Sequence, residues 1–447
     1  MGLLSLNYKT ILSVALPMMG ASFVQSIVLL TASAFLSRYS TDAFAAVGNA
    51  GLIFITMHIF VVGISDGTQI LISNKIGKRN TSDIGRLLLT SILVLTIIVS
   101  LLVAFAQLFL PDLILGYAKH AEIALAQIDF ITIRVYGLFF AMILLPLQAY
   151  YFAFGKSWVP FVGAILTAIS NIILDYCLIF GNWGFPEMGI EGSAWAAVVS
   201  DGVDAVFLVS YFFLSKEHIR QKIFENFKLV KSTLVEIFRM SIPIVFQGSV
   251  SLLTWAIFFI WIEQMGKFEL TVSQNIRTVY FLAFVPVWGF AAATKTYVSQ
   301  YSGAKRVRDI IVVRRRIQLL LLLFMFIIFH GGIFYPETVI SWINPEYAYV
   351  PKSAETLRYI SLSMFIFAYF SVFFHTINGL GKTHITFIVE SIAVFLYIAS
   401  AYVFIKLMRL DVKYIWTVEY IYYISMGILS ITYLKLVNWK KEVLRVD

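Results

Sequence analysis

Asp175 follows Asn171 by four residues inside a long apolar run, so a carboxylate and an amide share one face of a helix. A carboxylate beside an amide carbonyl can bind Na+, and a carboxylate kept from water can carry H+. Asp201 and Asp204, three residues apart in the next apolar run, lie on similar faces, and neighbouring acids favour proton uptake. The structural alternative is that one of them pairs with Arg134. Asp66, just before Gly67, either joins this group or serves a helix kink or interface. Asp175, Asn171, Asp201, Asp204 and Asp66 are therefore the candidates for holding a coupling cation, because an ionisable group at membrane depth is costly unless it is paired or wet.

The second half carries a different set. Arg277 and Glu390 stand in apolar runs, and Lys295 lies toward the end of its run. A buried arginine seeks an acid, so Arg277 is expected to pair with Glu390 or Glu263; the functional alternative is a contact for an anionic substrate. Arg277, Glu390, Arg134 and Lys295 are thus substrate-contact or charge-pair candidates. Glu419 has no assigned role. His58, His330 and His375 can relay protons, though isolated histidines more often make a packing hydrogen bond. Trp255, Trp261 and Trp288 can line a cavity for organic cations or face lipid. Pro17, Pro243 and Pro286 interrupt helix hydrogen bonding and are hinge candidates, static kinks being the alternative. No metal-ligand spacing, no phosphate-loop lysine motif and no gathering of acid, base and nucleophile is visible, so neither an enzyme nor a bound cofactor or metal is expected.

These residues sit in a chain of 447 residues that is 60% hydrophobic and 13% charged, with mean hydropathy +0.85. A soluble domain is about a quarter charged. A bilayer core needs roughly 20 apolar residues per helix, and twelve such segments are read, near 11–36, 44–73, 84–110, 122–152, 158–181, 190–214, 234–263, 270–300, 310–334, 351–378, 383–408 and 412–437. The first is too long for the apolar core of a signal peptide and is read as a membrane helix. Of the loop cations, 24 fall on the side of the termini and seven opposite: Arg38, Lys119, Lys267, Lys352, Lys406, Arg409 and Lys413. That asymmetry places both termini in the cytoplasm. It also accounts for the net charge of +9 and for the run Arg306 to Arg316 without nucleic acid, with anionic lipid as the partner of the basic surface. The one cysteine, Cys177, excludes an internal disulfide.

The two halves repeat at an offset of 226 residues: Pro17 and Pro243, Asn49 and Asn275, Gly63 and Gly289, Thr68 and Thr294, Ser73 and Ser299, Gly77 and Gly303, Gly155 and Gly381, Lys156 and Lys382. Six helices return a chain to its starting side, so both halves share one topology and their pseudo-two-fold axis runs along the membrane normal. The expected fold is an all-α membrane protein of two six-helix lobes, 1–214 and 234–447, with 215–233 as a cytoplasmic linker forming an amphipathic surface helix. An internal repeat of this kind suggests a transporter with its site between the lobes.

Several stretches are similar to the multidrug and toxic compound extrusion (MATE) family. They are Leu16-Pro17 followed by Ala45-Ala46-Val47-Gly48-Asn49-Ala50; Gly67-Thr68-Gln69-Ile70-Leu71-Ile72-Ser73 leading to Gly77; the run from Asn171 through Asp175 to Gly181; Gly189-Ile190-Glu191-Gly192-Ser193-Ala194-Trp195-Ala196; Ser299-Gln300-Tyr301-Ser302-Gly303-Ala304; and Asn378-Gly379-Leu380-Gly381-Lys382-Thr383. The resemblance spans nearly the whole chain. It implies a multi-pass plasma (inner) membrane exporter of amphipathic, cationic organic compounds. Such an exporter is driven by inward H+ or Na+, works by alternating access, and is complete as a monomer. A lipid-linked oligosaccharide or polysaccharide flippase of the same superfamily is the alternative. The chain departs from the family at three acids: no carboxylate stands near Thr31-Ala32 on helix 1, near Ser251 on helix 7, or between Tyr359 and Gly379 on helix 10.

Overall fold

A computed structural model describes residues 2–80, 82–117, 121–225 and 228–445, so Lys119 lies outside the described residues, as does the side chain of Ala45. The described residues form helices and no strand. The long ones are α1 (Tyr8–Tyr39), α2 (Thr41–Gly77), α3 (Ser82–Leu108), α4 (Ala121–Arg134 continued by Gly137–Ala153), α5 (Trp158–Phe180), α6 (Gly189–Leu214), α7 (Lys231–Glu263), α8 (Lys267–Gly303), α9 (Val307–Phe329), α10 (Val350–Gly379), α11 (Thr383–Tyr402) and α12 (Thr417–Leu436).

Nine of these are long and apolar enough to cross a membrane, and α4 makes a tenth as a span bent by 45°. The remaining two fall at the other expected positions. α9 contains Arg314, Arg315 and Arg316, and α12 carries Glu419 among several tyrosines, which lowers their apolar character. α2 and α8 reach 37 residues each, about 55 Å at 1.5 Å per residue, so their ends project beyond the hydrocarbon.

By its internal contacts the chain divides into two compact units: residues 20–245, and residues 1–19 with 246–447. The division therefore does not follow the expected boundaries at 214 and 234. It falls inside α1 and α7, two residues after Pro17 and two after Pro243. Within the first unit, Gly63 of α2 lies against Val245 of α7, and within the second, Gly289 of α8 lies against Met19 of α1. The repeat offset carries Gly63 to Gly289 and Met19 to Val245, so each unit is built on the same contact. A methyl on Gly289 would meet the Met19 backbone and one on Gly63 chiefly the Val245 side chain, so glycine lets the helices approach closely.

The segment 215–233 is not a continuous amphipathic helix. Of its described residues only Glu217–Arg220 and the start of α7 from Lys231 are helical, and Glu217, Gln221 and Ile223 are buried. Glu217 accepts a hydrogen bond from Tyr150 (3.0 Å) and pairs with Lys156 and Arg220. Ile223 presses its backbone onto Gly85 of α3.

The second unit mirrors the lysine contact: Lys382 reaches Glu442 of the short helix Trp439–Arg445 at 2.7 Å. Gly155 and Gly381, which precede the two lysines, both hold left-handed backbone (φ 70° and 77°), the conformation that favours glycine. The N-terminal residues are strapped to the second unit. Gln300 accepts from the Leu4 amide (3.1 Å), while Tyr301 and Arg316 donate to the carbonyls of Leu4 and Leu6 at 2.5 Å.

Candidate functional site

α5 and α6 pack closely because glycines face the partner helix. A methyl at Gly192 would stand 2.5 Å from the Leu178 carbonyl oxygen, and one at Gly163 would stand 2.0 Å from Asp204 Oδ1. The interface buries Asn171 and Asp175 almost completely, at 2% and 0% exposure. Neither oxygen of Asp175 has a hydrogen-bond partner among the described residues, and Asn171 Oδ1 has none either. The hydroxyl of Ser193, on α6, is a weak hydrogen-bonding neighbour of Asp175, outside strict hydrogen-bond geometry. Three acceptor oxygens one helical turn apart are thus buried without a hydrogen-bond partner of ordinary geometry among the described residues. Such groups are rare because leaving a buried acceptor unpaired is unfavourable.

The remaining N-terminal acids do not join them. Asp201 is held by Arg134 at 2.7 Å, and the Arg134 guanidinium also lies over the Phe54 ring at 4.0 Å, with His58 stacked on that ring. Gly137 leaves room for the pair: a methyl there would be 2.1 Å from the arginine. Asp204 is buried at 4% with its Oδ1 unpartnered over Gly163. Asp66 is half-buried, and its neighbour Ser65 bonds the Leu145 carbonyl at 2.7 Å. Among the described residues no three His, Cys, Asp or Glu gather so as to hold a metal ion. The five candidates are therefore distributed along the first unit, with Asn171 and Asp175 one turn apart on α5 and Asp201 and Asp204 at i, i+3 on α6.

In the second unit the expected pairing of Arg277 with Glu390 or Glu263 is not found. Arg277 makes no ion pair among the described residues and lies over the Phe259 ring at 4.8 Å. Glu390 is buried and accepts from Tyr422 at 2.5 Å and from Ser251. Hydroxyl donors thus serve this carboxylate in place of a cation. Lys295 is buried in α8, within electrostatic reach of His375 of α10. His330 meets Tyr335 and the Ile327 carbonyl. Trp261 packs on Tyr402, and Trp288 is exposed.

Sequence alone does not place Glu419. It is buried at 2% in α12 and accepts from Tyr397 (3.1 Å) and, over a long contact, from Trp255 (3.4 Å). The signal is an acid amid an apolar, tyrosine-rich run, but its partners lie on α7 and α11.

A model of the MatE family matches residues 17–177 and again residues 243–403. The chain belongs to the MatE family. Both ends of the two matches are displaced by 226 residues, the offset of the internal repeat. The chain is 26% identical over 412 residues to a probable multidrug resistance protein NorM of Thermotoga maritima, covering 91% of this chain and 88% of that one. A MATE structure in the bent conformation superposes with TM-score 0.87 at 17% identity, covering 98% and 97% of the two chains. An outward-facing multidrug resistance MATE transporter gives TM-score 0.85 at 18% identity, with the same coverage. These likenesses establish the fold. As a MatE-family protein the chain is a multi-pass, integral membrane transporter of small molecules, coupled to an ion, and not an enzyme.

Proposed function

We propose that this chain exports amphipathic, cationic organic compounds across the plasma membrane in exchange for inward H+ or Na+, with Asp175 and Asn171 holding the ion. The observation that carries the reading is the set of three unpartnered acceptor oxygens, two of Asp175 and one of Asn171, buried between α5 and α6. A proton or a sodium ion satisfies such a group, and its departure restores the unfavourable state. That alternation is what an ion-driven cycle requires. Asp204 and Asp66 are secondary sites of the same unit. Asp201 instead fixes Arg134, a structural task.

The charge asymmetry of the loops supports cytoplasmic termini. The monomer is the working unit in this reading, since the repeat supplies both halves. Pro17, Pro243 and Pro286 are the proposed hinges of α1, α7 and α8. Efflux is favoured over lipid-linked sugar transport because relatives such as the Thermotoga maritima protein bear multidrug resistance names. The test is ethidium efflux from proteoliposomes with pH and Na+ gradients imposed separately. One gradient is expected to drive efflux and the other not, and efflux under neither contradicts the reading.

A further inference from the structure

We propose that Glu390 and Glu419 form a second proton-carrying site, in the unit made of residues 1–19 and 246–447, that binds H+ in the same transport cycle. The inference rests on the ion-coupled reading above but uses different residues in the other unit.

Both carboxyl groups are buried at 2% exposure in membrane helices. Neither has a lysine, arginine or histidine in ion-pair contact among the described residues, and the one arginine of α8 in that region, Arg277, turns onto Phe259. Their partners are neutral. Ser251 and Tyr422 donate to Glu390, while Trp255 and Tyr397 donate to Glu419. Ser251 and Trp255 are one turn apart on α7, Glu390 and Tyr397 are two turns apart on α11, and Glu419 and Tyr422 are neighbours at i, i+3 on α12. The rings of Tyr397 and Tyr422 meet at 6.0 Å, so the two acids belong to one polar seam joining three helices.

The groups facing this seam are all tyrosines or neutral donors. α8 contributes Tyr280, whose hydroxyl meets Ser363 of α10 at 2.8 Å; α11 contributes Tyr397; α12 contributes Tyr422 and Tyr423. Among the described residues no cation pairs with either acid, so H+ from water is the charge that neutralises them. A hard metal cation is the poorer fit. Such ions take several oxygen ligands, whereas the donors around Glu419 include an indole N–H, which can only donate, and among the described residues no three acidic or histidine side chains converge.

The chemistry is a reversible transfer of one proton between water and a carboxylate oxygen. With both acids ionised, their four donors, two to each, make charge-assisted bonds that tie α7, α11 and α12 together. When the proton arrives those bonds become neutral and weaker, and the Ser251 or Tyr422 hydroxyl can turn to accept from the new O–H. The site therefore couples proton occupancy to the tightness of a three-helix seam.

The test uses the intact chain in proteoliposomes, with ethidium as the transported probe, and Glu390→Gln, Glu419→Gln and the double variant. Infrared difference spectra between acid and alkaline buffer, taken without ethidium, are expected to show a protonated-carboxyl band in the parent that each single variant reduces and the double variant reduces further, the remaining carboxyls keeping their share. Efflux driven by a pH gradient should slow at least tenfold in the double variant. Tyr422→Phe, which keeps both acids, should shift the pH at which the band and efflux change. That variant carries the test if the glutamines prevent folding.

An unchanged infrared band in the double variant overturns the proposal, as does a parent that responds to Na+ alone. Asp175→Asn is measured in parallel. Loss of efflux there with full efflux in the glutamine variants overturns this inference and leaves the α5 site standing. The reverse pattern removes the α5 site and keeps this one.

Discussion

Gly63 of α2 lies so close to Val245 of α7 that a methyl group on it would stand 2.4 Å from the valine Cγ2. Its repeat counterpart Gly289 meets backbone instead, with the N and Cα of Met19 both 2.6 Å from such a methyl. A side-chain methyl can rotate away, but a backbone cannot. Alanine at Gly289 should therefore destabilise the protein by about 1–3 kcal/mol, the usual cost of overpacking, and alanine at Gly63 by less. Thermal unfolding of the two variants in detergent checks the order, and equal stability would contradict the packing assigned here.

Arg134 and Asp201 are two membrane-depth candidates that meet as an ion pair, reinforced by the Phe54 ring. Removing one partner leaves the other charge unmet at depth. Arg134→Met and Asp201→Leu should each cost about 3 kcal/mol, as for other buried pairs broken on one side, and the double variant should recover most of it. Melting temperatures of the four proteins test this, since additive losses would mean that the pair is not coupled.

The two repeat-related lysines allow a comparison within one molecule. Glu217 is 2% exposed, whereas Lys382 and Glu442 are 34% and 46% exposed. Glu442→Ala should cost about 0–1 kcal/mol, as surface pairs do. Glu217→Ala, which strips a buried partner from Tyr150 and Lys156, should cost about 1–3 kcal/mol. Proteolysis within 215–233 should rise in the second variant and not in the first.

The repeat is legible in the sequence because its matched residues perform backbone tasks that tolerate few alternatives. Gly155 and Gly381 hold positive φ, and Gly63 and Gly289 admit a neighbouring helix. Helix positions are legible because twenty apolar residues have few other uses. Charge partners are legible only in part. Arg134 and Asp201, 67 residues apart, do meet, but Glu390 takes its donors from Ser251, 139 residues away, and from Tyr422. Sequence suggests an arginine for it because charge is visible there and the convergence of hydroxyls is not. The same carboxylate lies beside Ser251, the position where the family resemblance leads one to look for a helix 7 acid. The linker departs from the expected surface helix where Glu217, Gln221 and Ile223 are buried.

The central claim is that Asp175 holds the coupling ion, and Asp175→Asn tests it most directly. The amide has the same shape and no charge to give up. Ethidium efflux from proteoliposomes under the effective gradient should fall at least a hundredfold, while gradient-free exchange and thermal stability stay near those of the parent. Efflux at the parental rate in this variant would contradict the account.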